Sequence, residues 1–251
     1  RPSRDSLRAG LIIGGLLYAG FAFQTAGLKL TTPTKSAFLT AMSVVLVPLL
    51  QVVIFRERLR GAVVGGVAAA AVGRYFLTMP PGAIRLETGD LLTLACALAF
   101  AGHIVALGRY APRFDVATLA VLQVGAAMLF AALAMPLFDA TGVERIFAVP
   151  TPRLAVALLV TAGLATAAAF SIQTWAQRIT SPTHAAILFT LEPVFAALTS
   201  LLVLNERLGG RELLGAGLIL AGVLVAELRA VPAPETPGVP APPASPDADS
   251  R

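Results

Sequence analysis

Glu192 is the residue best placed to do chemistry. It lies about eight residues into an apolar run, 185–204. A charged carboxylate at mid-bilayer costs about 2.5–3.5 kcal/mol on the insertion scale. Such a group must face a polar cavity, find a partner or hold a proton. Pro193 follows it, and a proline lacks an amide hydrogen, so the carbonyl of Phe189 is freed. An ionisable group beside a broken helix is one way to build a solute or proton site at mid-membrane. The same pair also reads as structural, with the carboxyl group satisfying the freed backbone. Gln24-Thr25 and Gln173-Thr174 recur in matching surroundings. They could bind a polar solute from two sides or join packed helices, a bond worth about 0.6 kcal/mol on average. His103 could bind solute, relay protons or pack as a neutral imidazole. Trp175 could line a cavity or anchor a helix at the lipid interface. Arg74, Lys35 and His184, near helix ends, are expected to snorkel toward water.

Enzyme signatures are absent. The chain has no Gly-x-Ser-x-Gly, no His-Glu-x-x-His and no phosphate loop. Two histidines and one cysteine, Cys96, give no basis for a disulfide framework or a zinc site, so no metal or cofactor is expected.

The elements that carry these residues are apolar and long. Of 251 residues, 57% are hydrophobic and 13% charged; a soluble domain is about a quarter charged. Mean hydropathy is +0.80 and the pI is near 10.1. The basic residues are scattered between apolar runs, the pattern of membrane loops and not of a nucleic-acid surface. Eight runs are long enough to be read as transmembrane helices: 9–26, 36–55, 61–79, 91–107, 118–138, 154–176, 185–204 and 212–226. Solid runs near 20 residues exclude the alternating strands of a membrane barrel. Residues 229–251, rich in Pro and Ala, are expected to form a disordered tail.

The chain repeats itself. Shifted by 149 positions, residues 14–73 align without a gap on 163–222 with 18 identities. The in-register Gln-Thr pair, Thr-x-Pro-Thr turn and Glu-Arg-Leu triplet make chance a poor explanation. The matched blocks are the first three and last three helices, and two more lie between them. Each unit should therefore hold five helices, so two are expected ahead of Arg1. An odd number per unit inverts the second copy across the membrane. The expectation is an all-α polytopic membrane protein of inverted five-helix repeats, eight helices present of ten. Residues 1–79 would end the first repeat, 80–90 link, and 91–228 form the second.

Several motifs carry a resemblance: Gly89-Asp90-Leu91-Leu92, Thr183-His184-Ala185-Ala186, Leu191-Glu192-Pro193-Val194-Phe195 and Asn205-Glu206-Arg207-Leu208, then Gly215 and Gly222. The first copy echoes them with Ala37-Phe38-Leu39-Thr40, Pro48, Arg56-Glu57-Arg58-Leu59, Gly66 and Gly73. Over about residues 8–228 the chain resembles the EamA family of the drug/metabolite transporter superfamily, bacterial carriers of two five-helix repeats. The resemblance implies a secondary transporter of the bacterial inner membrane with a cytoplasmic C-terminus. Loop charge agrees weakly, with 11 of 19 basic residues on that side. It further implies alternating access to a site between the repeats. Glu192, Gln24, Gln173, His103 and Trp175 are the candidates for binding substrate or coupling protons. Glu57-Arg58 and Glu206-Arg207 read as hairpin fasteners that complement helix dipoles. Gly66, Gly73, Gly215 and Gly222 let helices approach closely. Expected partners are the lipid bilayer and a small-molecule substrate, with protons and a second copy of the chain as further candidates. The rival reading is an integral membrane enzyme or a non-transporting structural or sensor subunit.

Overall fold

The computed structural model describes residues 2–56, 61–78, 87–140, 151–203 and 209–228. The tail and the Glu57-Arg58 and Glu206-Arg207 fasteners lie outside them. The described residues form helices α1 (Arg4–Leu28), α2 (Pro33–Thr40), α3 (Ser43–Phe55), α4 (Gly61–Thr78), α5 (Thr88–Tyr110) and α6 (Val116–Ala140). Next come α7 (Pro152–Val160), a π-helical stretch Thr161–Ala168, α8 (Ala169–Ala176), α9 (Pro182–Phe189), α10 (Glu192–Val203) and α11 (Gly210–Leu228). No strand occurs among the described residues. Among the described residues, five stretches are long and apolar enough to cross a membrane: Arg4–Leu28, Lys35–Phe55, Thr88–Arg113, Val116–Pro136 and Pro152–Ala176. Gly61–Leu77 and Leu213–Val225 are shorter apolar helices. The protein is all-α and polytopic, the architecture that keeps backbone hydrogen bonds within each lipid-facing segment.

Local chemistry sets the helix starts. Thr32 and Ser181, 149 apart, are N-caps whose hydroxyls accept the amides of Lys35 at 3.3 Å and His184 at 3.2 Å. Pro33 and Pro182 take the first helical position, where no amide is needed. The repeated Thr-Pro turn is thus a helix-start signal. Outside the spans, Asp115 accepts the amide of Thr118 at 2.9 Å, which holds its carboxyl below the usual range. Lys35 does not reach freely for water: its Nζ lies 3.5 Å from Asp90 and 3.7 Å from Glu87, with its side chain 13% exposed. Thr31 also donates to Asp90, so the α1–α2 turn is clamped to the start of α5.

Packing follows the stripes. The buried residues of α1, including Ala9, Ile13, Gly14, Leu17 and Gly20, recur at three and four positions and face α5 and α6. Helix α5 is the most buried span and also meets α2, α3 and α9.

The inverted repeat is visible in the pairing of α4 with α11. A Cβ at Gly222 would lie 2.6 Å from the Gly66 carbonyl oxygen, and one at Gly73 would lie 2.7 Å from that of Gly215. These two contacts exchange under the 149-residue shift, as a twofold relation requires. The numbering rises along α4 while it falls along α11, so the operation reverses helix direction. An axis along the membrane normal would leave the two helices parallel; the axis therefore lies in the membrane plane. Phe21 on α1 and Phe170 on α8, equivalent residues, meet edge to face at 6.5 Å.

Copies differ in what covers them. No residue of α7 or of the π-helical stretch is buried, although the equivalent α1 lies against two helices. Gly14 shows the contrast: a Cβ there would come 2.6 Å from that of Ala126, whereas its equivalent, Gly163, meets nothing within 4 Å.

Gly73→Ala is expected to cost about 1–3 kcal/mol, because carbonyl and amide groups of α11 cannot move aside for the methyl group. Gly217→Ala, where nothing lies within 4 Å, should be neutral or mildly stabilising. Thermal unfolding of the detergent-purified protein checks the pair. Equal midpoints would contradict the close crossing.

Candidate functional site

Both copies carry a discontinuous helix at the same register. Helix α2 ends at Thr40 and α3 starts at Ser43; α9 ends at Phe189 and α10 starts at Glu192. The intervening residues, Ala41-Met42 and Thr190-Leu191, are 149 apart. Only the second break has an adjacent proline, so Pro193 is not the common cause. At that break Thr190 Oγ1 donates to the carbonyl of Ile187 at 2.6 Å, taking up an acceptor at the helix end. Sequence reasoning found the second break and missed the first, which has no proline next to it.

Glu192 opens α10 with an exposed side chain. Its position in the first copy is held by Ser43, so this carboxylate is not duplicated across the axis. Arg74, on α4, does not snorkel to water alone. Its Nη2 donates to the carbonyl of Ala37 on α2 at 2.9 Å.

A second polar group lies between α5, α6 and α8. His103 Nε2 is 3.0 Å from Gln123 Oε1, Gln123 Nε2 donates to Thr174 Oγ1 at 2.7 Å, and Thr174 donates to the carbonyl of Phe170 at 2.6 Å. With the amide oriented this way, His103 Nε2 carries the hydrogen. The residues are buried, and the His103 ring meets Phe170 edge to face at 5.8 Å. Gln173 donates to Gln177 at 3.2 Å, which donates to the carbonyl of Ile104 at 2.9 Å. Across the repeats, Thr183 on α9 donates to Gln51 on α3.

The sequence-predicted residues thus fall in several places. His103 joins Thr174, the neighbour of Gln173. Gln24 is half-buried on α1, and Trp175 is 57% exposed on α8. Gln123 and Gln51 were missed as polar groups inside apolar runs; a lone amide amid Val and Leu was their only signal. Arg74 carried the same signal, a charge within a run of alanine, valine and glycine.

Residues 87–228 match the EamA-like transporter family. A protein of Archaeoglobus fulgidus named "Uncharacterized transporter" is 36% identical over 220 residues, covering 88% of this chain and 68% of that protein. A protein of known crystal structure superposes with a TM-score of 0.75 at 23% identity, over 92% of this chain and 80% of the other, a likeness of fold.

Gln123→Leu should destabilise the protein by about 1–3 kcal/mol, since it strands both His103 and Thr174 in an apolar interior. Thr174→Val, which leaves the histidine bond in place, should cost less. Melting of the two variants in one detergent checks the order, and the reverse order would refute the chain of bonds.

Proposed function

The chain belongs to the EamA-like transporter family, and on that premise we propose that it carries a small solute across the membrane by alternating access. The solute site lies where the two broken helices face each other, with Glu192 as its charged member. Membership supports transport over an enzymatic role; the paired breaks carry the rest of the reading. Non-helical backbone is tolerated in lipid only where it is buried in protein or lines a cavity. Two breaks at one register, in copies of opposite direction, replace regular helix by turns in the same part of both repeats, the kind of discontinuity from which midplane sites are built. Rocking of one repeat against the other would then expose that region to each side in turn. His103, Gln123 and Thr174 hold α8 against α5 and α6, so we assign them a positioning role. Gln24, Gln173 and Trp175 remain candidates for the walls of the pathway, and protons for the coupled ion. The membrane in this reading is the bacterial cytoplasmic (inner) membrane, with the C-terminus on the cytoplasmic side, as loop charge favours.

The uncovered α7 supports a second element of the proposal. By the repeat, the helices that should lie on α7 and α8 are equivalents of α5 and α6, and they precede α1 in the protein. Gly163 would then sit against a helix as Gly14 does. In a protein that includes the preceding sequence, Gly163→Leu should destabilise about as strongly as Gly14→Leu. In the chain from Arg1 it should be close to neutral. Melting of both forms checks this, and a neutral Gly163→Leu in the longer protein would count against the two helices.

Glu192→Gln keeps the volume and removes the charge. It is expected to insert and fold, since it lowers an insertion cost, and to reduce solute flux in proteoliposomes at least tenfold. Flux across a panel of labelled metabolites, with and without a pH gradient, is the measurement. Unchanged flux in Glu192→Gln combined with unfolding of Glu192→Leu would make the residue structural.

A further inference from the structure

A twofold relation gives every contact a mate, so a contact without one marks where the two copies differ in conformation. Helix α3 packs along α9. The mate of that contact would join α10 to α2, because α10 is the equivalent of α3 and α2 that of α9. Among the described residues α2 and α10 show no comparable packing. Likewise α9 touches α4 across the axis, while α2 makes no comparable contact with α11. Single residues agree. Ile187 on α9 is fully buried in a cluster that includes Val44, Val63 and Val67 of the first repeat. Its equivalent, Phe38 on α2, is half-buried and meets Tyr75 of its own repeat edge to face at 6.0 Å. Thr183 and Gln51, both buried, join α9 to α3 by a hydrogen bond. The bond lies toward the membrane face at which α3 ends and α9 starts. There the start of α9 is also seated on α5: a Cβ at Gly108 would lie 2.5 Å from Pro182 Cγ.

Resting on the reading of the chain as an alternating-access carrier, we propose that this structure is the state shut at that face and open at the other, where α2 starts and α10 ends. The Thr183–Gln51 bond locks the shut face. Thr34 and Ser200, the 149-residue equivalents of Thr183 and Gln51, lock the opposite face in the second state. Both are hydroxyl residues and so can donate and accept. The breaks are the hinges: the Ala41-Met42 and Thr190-Leu191 turns let α2 and α9 swing without α3 and α10. As α9 leaves α3, α2 closes on α10, and the two repeats exchange conformations. Equivalent halves keep the two states close in energy, so a modest difference in solute affinity shifts them. Loop charge puts the shut face on the cytoplasmic side, so in this state the solute enters from outside.

The test uses the full-length protein purified in detergent and needs no known solute. Thr34→Cys with Ser200→Cys is treated with a short bis-methanethiosulfonate, and mass spectrometry reads the yield of peptides linked between positions 34 and 200. Adding Thr183→Val removes the donor at the shut face and should raise that yield at least threefold. A threefold change is about 0.6 kcal/mol, the average worth of one hydrogen bond between helices in a bilayer. Thr183→Ser, which keeps the hydroxyl, should leave the yield at its parent value. Gln51→Leu removes the acceptor and should act like Thr183→Val, so the test does not hang on one variant folding. No link between 34 and 200 in any variant, although each single cysteine reacts with a monofunctional reagent, would overturn the second lock. A yield that Thr183→Val and Gln51→Leu both leave unchanged would sink the first. Flux of labelled metabolites in proteoliposomes separates this proposal from the one it rests on. Shifted yields without flux would remove transport and keep the switch, and flux with unshifted yields would do the reverse.

Discussion

The backbone-to-backbone approach of α4 and α11 is the contact on which the rest of the arrangement depends. Gly66 and Gly73 on one helix, and Gly215 and Gly222 on the other, leave no room for a side chain between the chains. In lipid, helices gain little from hiding apolar surface, because the tails are as apolar as leucine. Close approach and dispersion between backbones supply the attraction instead. The four glycines also fix where the axis runs and which way the second copy points. Once that crossing is set, α2 and α9 fall against α4 and α11 in equivalent ways.

Polar groups inside the spans are arranged by the same constraint. Each must find a partner within the protein. His103, Gln123 and Thr174 share a directional series of hydrogen bonds that ends on the Phe170 carbonyl. Gln177 ends on the carbonyl of Ile104, and Thr183 on the side chain of Gln51. These bonds join helices distant in sequence, and the Thr183–Gln51 bond joins the two repeats. They hold α8 and α9 in place while α7 carries no buried residue. One end of that span is fixed and the other is left for a neighbour.

The two copies are not chemically identical. The glycine crossings, the N-caps, the breaks and the Glu-Arg-Leu triplets obey the 149-residue relation, while Glu192 and Arg74 do not: their equivalents are Ser43 and Val223.

Much of the scaffold could be read from residue order. Hydropathy gave the spans, since the thickness of a bilayer dictates their length. The shift of 149 gave the repeat, and odd helix number gave its inversion. The Thr-Pro turns marked helix starts because capping is local chemistry, and Glu192 drew notice because charge in lipid is costly wherever it points. Tertiary structure decided the rest. The break at Ala41-Met42 has no proline beside it and leaves no mark in residue order. Lys35 and Arg74 read as snorkelling residues until Asp90 and the Ala37 carbonyl were brought to them from 55 and 37 positions away. Gln123 looked like one amide in an apolar run until its partners arrived from two other helices. Periodicity and cost are properties of a segment and are written in it. A partner is a property of two segments, and only the fold determines which two meet.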